Sequence, residues 1–73
     1  MAVDREKFAK TIVETRKKLG ISQSELAERA GVHQARISDW ETGKCLPDSE
    51  NVVDLAMALD MSVLDLMATE ASR

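Results

Sequence analysis

Residues 22–43, SQSELAERAGVHQARISDWETG, decide the fold. Ser22 and Glu25 have the spacing of a capping box. The hydroxyl can accept from the third helical amide while the carboxylate reaches back to the N–H of the cap residue. Leu26, Ala27 and Ala30 then give one helix a narrow apolar face, and Gly31 stops it. A residue without Cβ enters the left-handed conformation of a helix end at no steric cost. Val32, Ile37 and Trp40 give the next stretch its own apolar face, and Gly43 closes it in the same way. Ala27 is small enough to let the second helix cross the first closely. The stretch predicts two short helices that meet at a tight glycine turn.

Three more helices follow outward from this pair. Helix 1 is expected from Asp4 to Lys18, where Phe8, Ile12 and Leu19, with Ala9 and Val13 beside them, recur at three- and four-residue steps. Arg16, Lys17 and Lys18 sit at the negative end of its dipole, and Gly20 ends it. Lys44 to Pro47 is a loop. Asp48 caps helix 4, whose core positions are Val52, Leu55, Ala56 and Leu59. Asp60 ends it, an acceptable choice because Asp enters the left-handed region more readily than most residues. Ser62 caps a short helix 5 with Val63, Leu66 and Met67 as its apolar positions. Ala68 to Arg73 is small and polar and reads as a frayed tail. No strand-like alternation and no internal repeat appears. The chain reads as all-α, one domain over residues 1–73 with an ordered core of residues 4–67.

Composition narrows the function classes. A chain of 73 residues buries only about 60% of its unfolded surface, so the core has to be efficient. With one Phe, one Trp and no Tyr, that core must be built from Leu, Ile, Val, Ala and Met. No apolar run approaches the ~18–20 residues that span a bilayer. The start, MAVDREKF, carries charges and no hydrophobic run, so it is not a secretory signal. Cys45 has no partner for an internal disulfide, which points to a reducing, intracellular compartment. Catalysis finds no support: there is no glycine-rich phosphate loop, no nucleophile–His–acid set, and no metal-ligand cluster around the lone His33. A domain this small also has little room for a deep pocket. The expectation is no enzyme, cofactor, metal or small-molecule ligand.

The ordered series of residues resembles the phage repressor and Cro-type helix-turn-helix family of transcriptional regulators. Arg16, Gly20-Ile21-Ser22-Gln23, Leu26-Ala27, Gly31-Val32, Ile37-Ser38, Trp40-Glu41, Gly43-Lys44 and Pro47 carry it. Leu55-Ala56, Leu59, Ser62-Val63 and Leu66 continue it, so that it covers residues 8–67. The resemblance implies a compact, five-helix, lambda-repressor-like domain. Its helix 3 would enter the major groove of double-stranded DNA in a prokaryotic, cytoplasmic setting. Asp60 stands where the family usually has glycine, and His33 where it usually has a capping Ser or Thr.

Helix 3 can be placed about its axis at about 100° per residue, with Ile37 and Trp40 inward. Ala35, Ser38, Asp39 and Thr42 then point away from the core, flanked by Gln34 and Arg36. Gln34 lies at the end of a recognition helix that reaches base edges, and its amide geometry favours adenine N6 and N7. The family also places a base reader there. Ala35 can contact a thymine methyl or serve as a plain helix former. Arg36 can reach guanine or phosphate, or pair with a nearby acid. Asp39 departs from the basic or amide residue common in the family; it can accept from cytosine N4 or pair with Arg36 three residues earlier. Ser38 completes the base-facing set. Trp40, by its spacing from Ile37, is core and not a stacking platform.

The remaining contacts are expected on the phosphate backbone. Gln23 begins helix 2, where amides and the positive dipole end suit an anion; the resemblance adds a bond from Gln23 to Gln34. His33 gives up a cap of about 1 kcal/mol, a loss that a phosphate contact would offset. Thr42 and Lys44 follow helix 3. The resemblance makes Glu41 a structural partner of Arg16, with Arg16 shared between Glu41 and a phosphate.

Charge and surface add two expectations. The net charge is −3, divided as +2 over residues 1–44 and −5 over residues 45–73. DNA binding depends on the local footprint rather than the total. A footprint of +2 is thin, which predicts modest, salt-sensitive affinity resting on more than one subunit. Helix 5, with the loop or helix-4 end beside it, offers the dimer surface: Val63, Leu64, Leu66 and Met67 are more apolar than one short helix can bury against its own core, and Leu64 is the residue left outside. The alternative is an antitoxin or interaction adaptor that meets a basic partner through Asp48, Glu50, Asp54, Asp60 and Asp65. These acids are equally the solvated face of a small soluble protein. Exposed Met57, Met61 or Met67 would favour an interface, and burial would make them core filler.

Overall fold

The computed structural model describes residues 4–67, which form five α-helices and no strand among the described residues. They are α1 (Arg5–Leu19), α2 (Gln23–Ala30), α3 (Gln34–Glu41), α4 (Ser49–Ala58) and α5 (Val63–Met67). The tail at residues 68–73 lies outside the described residues.

Local chemistry sets most boundaries. Ser22 Oγ accepts from Glu25 N at 3.0 Å while Glu25 Oε1 accepts from Ser22 N at 2.9 Å, closing the capping box of α2. Asp4 caps α1 through Glu6 N at 2.9 Å, Asp48 caps α4 through Asn51 N at 3.1 Å, and Ser62 caps α5 through Asp65 N at 3.0 Å. Helix α3 is the exception, because His33 makes no side-chain cap bond. At the other ends, the same turn recurs. After α2, Gly31 N bonds to the Glu28 carbonyl and Val32 N to the Ala27 carbonyl, the pairing of a left-handed helix end. After α4 the matching bonds run from Asp60 and Met61 to Met57 and Ala56, and Asp60 takes a φ of 63° without glycine's freedom.

The core joins all five helices. Phe8 and Ile12 from α1, Leu26 from α2, Ile37 and Trp40 from α3, Leu55 from α4, Leu59 just past its end and Leu66 from α5 are essentially fully buried. Helix α3 packs on α1 and α2, whereas α4 packs on α2 and α5 closes against α4 and α1. Burial of Ile37 alone contributes about 1.5–3 kcal/mol, more than the ~1 kcal/mol that a missing cap costs. Tertiary packing therefore holds α3 where its own start signal is weak.

One core expectation fails. Leu19 is 39% exposed, although its spacing from Ile12 keeps it on the same stripe. The helix ends there and the chain turns back, with Ile21 N bonded to the Arg16 carbonyl at 3.3 Å. Ile21 is thus folded over the helix end and buried in place of Leu19. The methionines divide: Met57 is 72% exposed, while Met61 and Met67 pack partly buried against the core as gap filler.

Candidate nucleic-acid interface

Ile37 and Trp40 anchor α3 from below and leave its first turn open. His33, Gln34, Ala35 and Arg36 are all exposed, as is Thr42 at the far end. Ser38 and Asp39 are half-buried rather than fully outward, although the helical period points both away from the Ile37–Trp40 stripe. Arg36 and Asp39 do not close on each other: among the described residues the ion pair is Arg16–Glu41. The guanidinium of Arg36 is therefore free to face outward.

A polar network fixes α3 against the rest of the motif. Arg16 Nε donates to Glu41 Oε2 at 2.7 Å, and Nη2 donates to Glu41 Oε1 at 3.2 Å. A third donor, Nη1, reaches the Ile21 carbonyl at 3.0 Å. Arg16 thus ties the end of α1, the approach to α2 and the end of α3 together. Its side chain is 14% exposed and that of Glu41 is 5%, so the guanidinium is committed to the scaffold first. Glu41 Oε1 also accepts from Gln23 Nε2 at 2.9 Å. Gln34 Nε2 then donates to Gln23 Oε1 at 3.3 Å, linking the first residues of α2 and α3. Ser24 Oγ donates to Gln34 Oε1 at 3.1 Å.

The loop after α3 is braced from a distant part of the chain. Arg5 Nη1 donates to the Lys44 carbonyl at 3.1 Å. A Cβ on Gly43, which has φ of 78°, would come within 3.7 Å of the Arg5 carbonyl oxygen. The start of α1 thus lies against the loop that carries Thr42 and Lys44, and leaves the Lys44 side chain exposed.

The sequence pattern that defines the helix-turn-helix family matches residues 12–66, most of the chain. The chain belongs to the helix-turn-helix family. Among its relatives is the transcriptional repressor RstR of the cryptic phage CTXphi in Vibrio cholerae, 30% identical over 60 residues. That match covers 82% of this chain and 54% of RstR, so the chain spans about half the length of that relative. Two solved helix-turn-helix structures superpose closely. The restriction-modification controller protein C.AhdI from Aeromonas hydrophila gives a TM-score of 0.83 at 32% identity, covering 86% of this chain and 96% of that one. The P22 c2 repressor, solved with a synthetic operator, gives 0.81 at 35% identity with the same coverages. The all-α, lambda-repressor-like fold expected from the sequence is the one observed.

Within this helix-turn-helix scaffold, the expected DNA-contacting residues other than the half-buried Ser38 and Asp39 fall into two groups. Gln34, Ala35, Arg36, His33, Thr42 and Lys44 are exposed along α3 and its flanks. Arg16 and Gln23 are partly buried and already bonded within the protein. Arg5 and Ser24 escaped the sequence reading. Arg5 bonds across 39 residues of sequence, and Ser24 across ten to a neighbouring helix, so no local pattern marks either one.

No helix among the described residues is long and apolar enough to cross a membrane.

Proposed function

We propose that this chain is a sequence-specific, double-stranded DNA-binding transcriptional regulator, a repressor, that reads the major groove with α3. The observation that carries the reading is the exposed first turn of α3, with Gln34 held at its start, on a scaffold anchored by Ile37 and Trp40. Recognition helices of this motif meet base edges through their N-terminal residues. Gln34, Ala35, Arg36, Ser38 and Asp39 are assigned to base edges. His33, Thr42 and Lys44 are assigned to phosphates, with Gln23 and Arg16 reaching the backbone only with what their internal bonds leave. The repressor names of RstR and P22 c2 support the direction of regulation, and these bacterial and phage relatives support a prokaryotic intracellular setting.

The proposed active form is a twofold dimer. One recognition helix reads too few base pairs to find a site among genomic competitors. Val63 is 36% exposed and Leu64 81% on α5, and Met57 and Val53 on α4 are exposed too. Met67 is half-buried at the edge of the same helix. Because α5 packs on α1 and α4, a second copy docked there leaves the outer side of α3 open.

Selection of bound sequences from random duplex DNA tests the reading. The expected result is a near-palindromic consensus whose half-sites lie about one helical turn (~34 Å) apart. No enrichment over input would overturn it, and would favour the adaptor that uses the acidic residues of helices 4 and 5.

A further inference from the structure

Five side chains form one hydrogen-bonded line from the interior of the motif to the exposed start of α3. It runs from Arg16 through Glu41, Gln23 and Gln34 to Ser24. Chemistry gives the line a direction. An ionised carboxylate only accepts, so Gln23 must turn its NH2 toward Glu41. The Gln23 oxygen then faces Gln34, which must donate to it. That leaves the Gln34 oxygen toward Ser24, whose hydroxyl supplies the proton. Reversing either amide would set two acceptors, or two N–H groups, against each other. Because each bond polarises the next, the charge on Glu41 biases the whole series.

We infer that Glu41, acting through Gln23, sets the polarity of the Gln34 amide, that Ser24 holds the amide in place, and that these two positioning residues thereby favour adenine. The inference rests on the proposed groove reading by Gln34. A primary amide has two N–H groups and two acceptor sites. The line occupies one of each on Gln34, which leaves one donor and one acceptor in a fixed order. Adenine presents a complementary N7 acceptor and N6 donor, whereas guanine presents two acceptors, N7 and O6. In the fixed order the amide gives guanine one bond at most, to N7, with its oxygen set against O6, and gives thymine none. A Gln34 free to rotate its amide would offer the reverse order as well, which adds a bond to thymine O4. Fixing the order converts a tolerant reader into a selective one. The Arg16–Glu41 pair thus acts on base choice through Gln23.

Binding-site selection with the full chain tests this in parallel for wild type, Gln34→Ala, Ser24→Ala, Ser24→Thr and Glu41→Gln. At the base pair whose preference Gln34→Ala abolishes, Ser24→Ala and Glu41→Gln are expected to lower adenine preference by about three- to tenfold, the worth of one hydrogen bond. Preferences elsewhere in the half-site should stay. Ser24→Thr keeps the hydroxyl and should retain adenine. Ser24 is exposed, so Ser24→Ala leaves the core intact and decides the matter if Glu41→Gln fails to fold. Adenine preference in Ser24→Ala that stays within about twofold of wild type, less than one hydrogen bond is worth, overturns the inference while Gln34→Ala still loses it. A loss that Ser24→Thr does not restore overturns it too. Unchanged preferences in Gln34→Ala would overturn the groove reading itself, and this inference with it.

Discussion

Replacing Arg16 by Met removes one side of the largely buried side-chain pair Arg16–Glu41 and keeps most of the aliphatic volume. Arg16 supplies three hydrogen bonds, two to Glu41 and one to the Ile21 carbonyl. Without it, Glu41, whose side chain is 5% exposed in the intact protein, keeps Gln23 Nε2 as its remaining side-chain donor. Breaking a buried pair from one side costs about 3–5 kcal/mol, because a charge stays behind without compensation. At roughly 0.05–0.15 kcal/mol per residue, a domain of this size has only about 4–11 kcal/mol in total. At about 4–8 °C per kcal/mol, the Tm should fall by on the order of 10–40 °C. Thermal unfolding followed by far-ultraviolet circular dichroism measures it. Arg16→Met combined with Glu41→Leu should recover much of the loss, since no orphan charge remains. A single variant within about 3 °C of wild type, less than 1 kcal/mol is worth, would refute the reasoning. So would a double variant less stable than Arg16→Met.

Gln34→Ala should relax preference at one base pair per half-site and cost roughly 1–3 kcal/mol. Lys44→Ala should weaken all sequences alike and flatten the salt dependence, and binding titrations at several salt concentrations separate the two. Trp40→Ala empties the largest fully buried side chain of the core; a loss of about 3–5 kcal/mol is expected in chemical denaturation. Leu64→Glu should shift the proposed dimer toward monomer in sedimentation at micromolar concentration, whereas equal behaviour of both proteins would remove α5 from the proposed interface. Asp60→Gly relieves a φ of 63° and should stabilise by roughly 0.5–1 kcal/mol, read as a rise in Tm.

The sequence alone determined the features that depend on neighbours within a few residues. Ser22 with Glu25, Asp4, Asp48 and Ser62 mark helix starts because a capping side chain reaches only amides two or three residues on. Gly31, and even Asp60, mark ends because the left-handed φ is a property of one residue. The period of Ile37 and Trp40 sufficed to turn α3 with Gln34 and Ala35 outward. Tertiary structure decided whatever joins distant segments. Leu19 satisfies the helical period but is the last residue of α1 and exposed, and Ile21 is buried instead because the chain folds back there. Ser38 and Asp39 are half-covered by neighbouring elements that a helical wheel does not contain. The brace from Arg5 to Lys44, and the line from Arg16 through Glu41, Gln23 and Gln34 to Ser24, connect residues up to 39 apart. A one-dimensional pattern records which donors and acceptors exist; only the packing of α1, α2 and α3 brings each donor within reach of its acceptor.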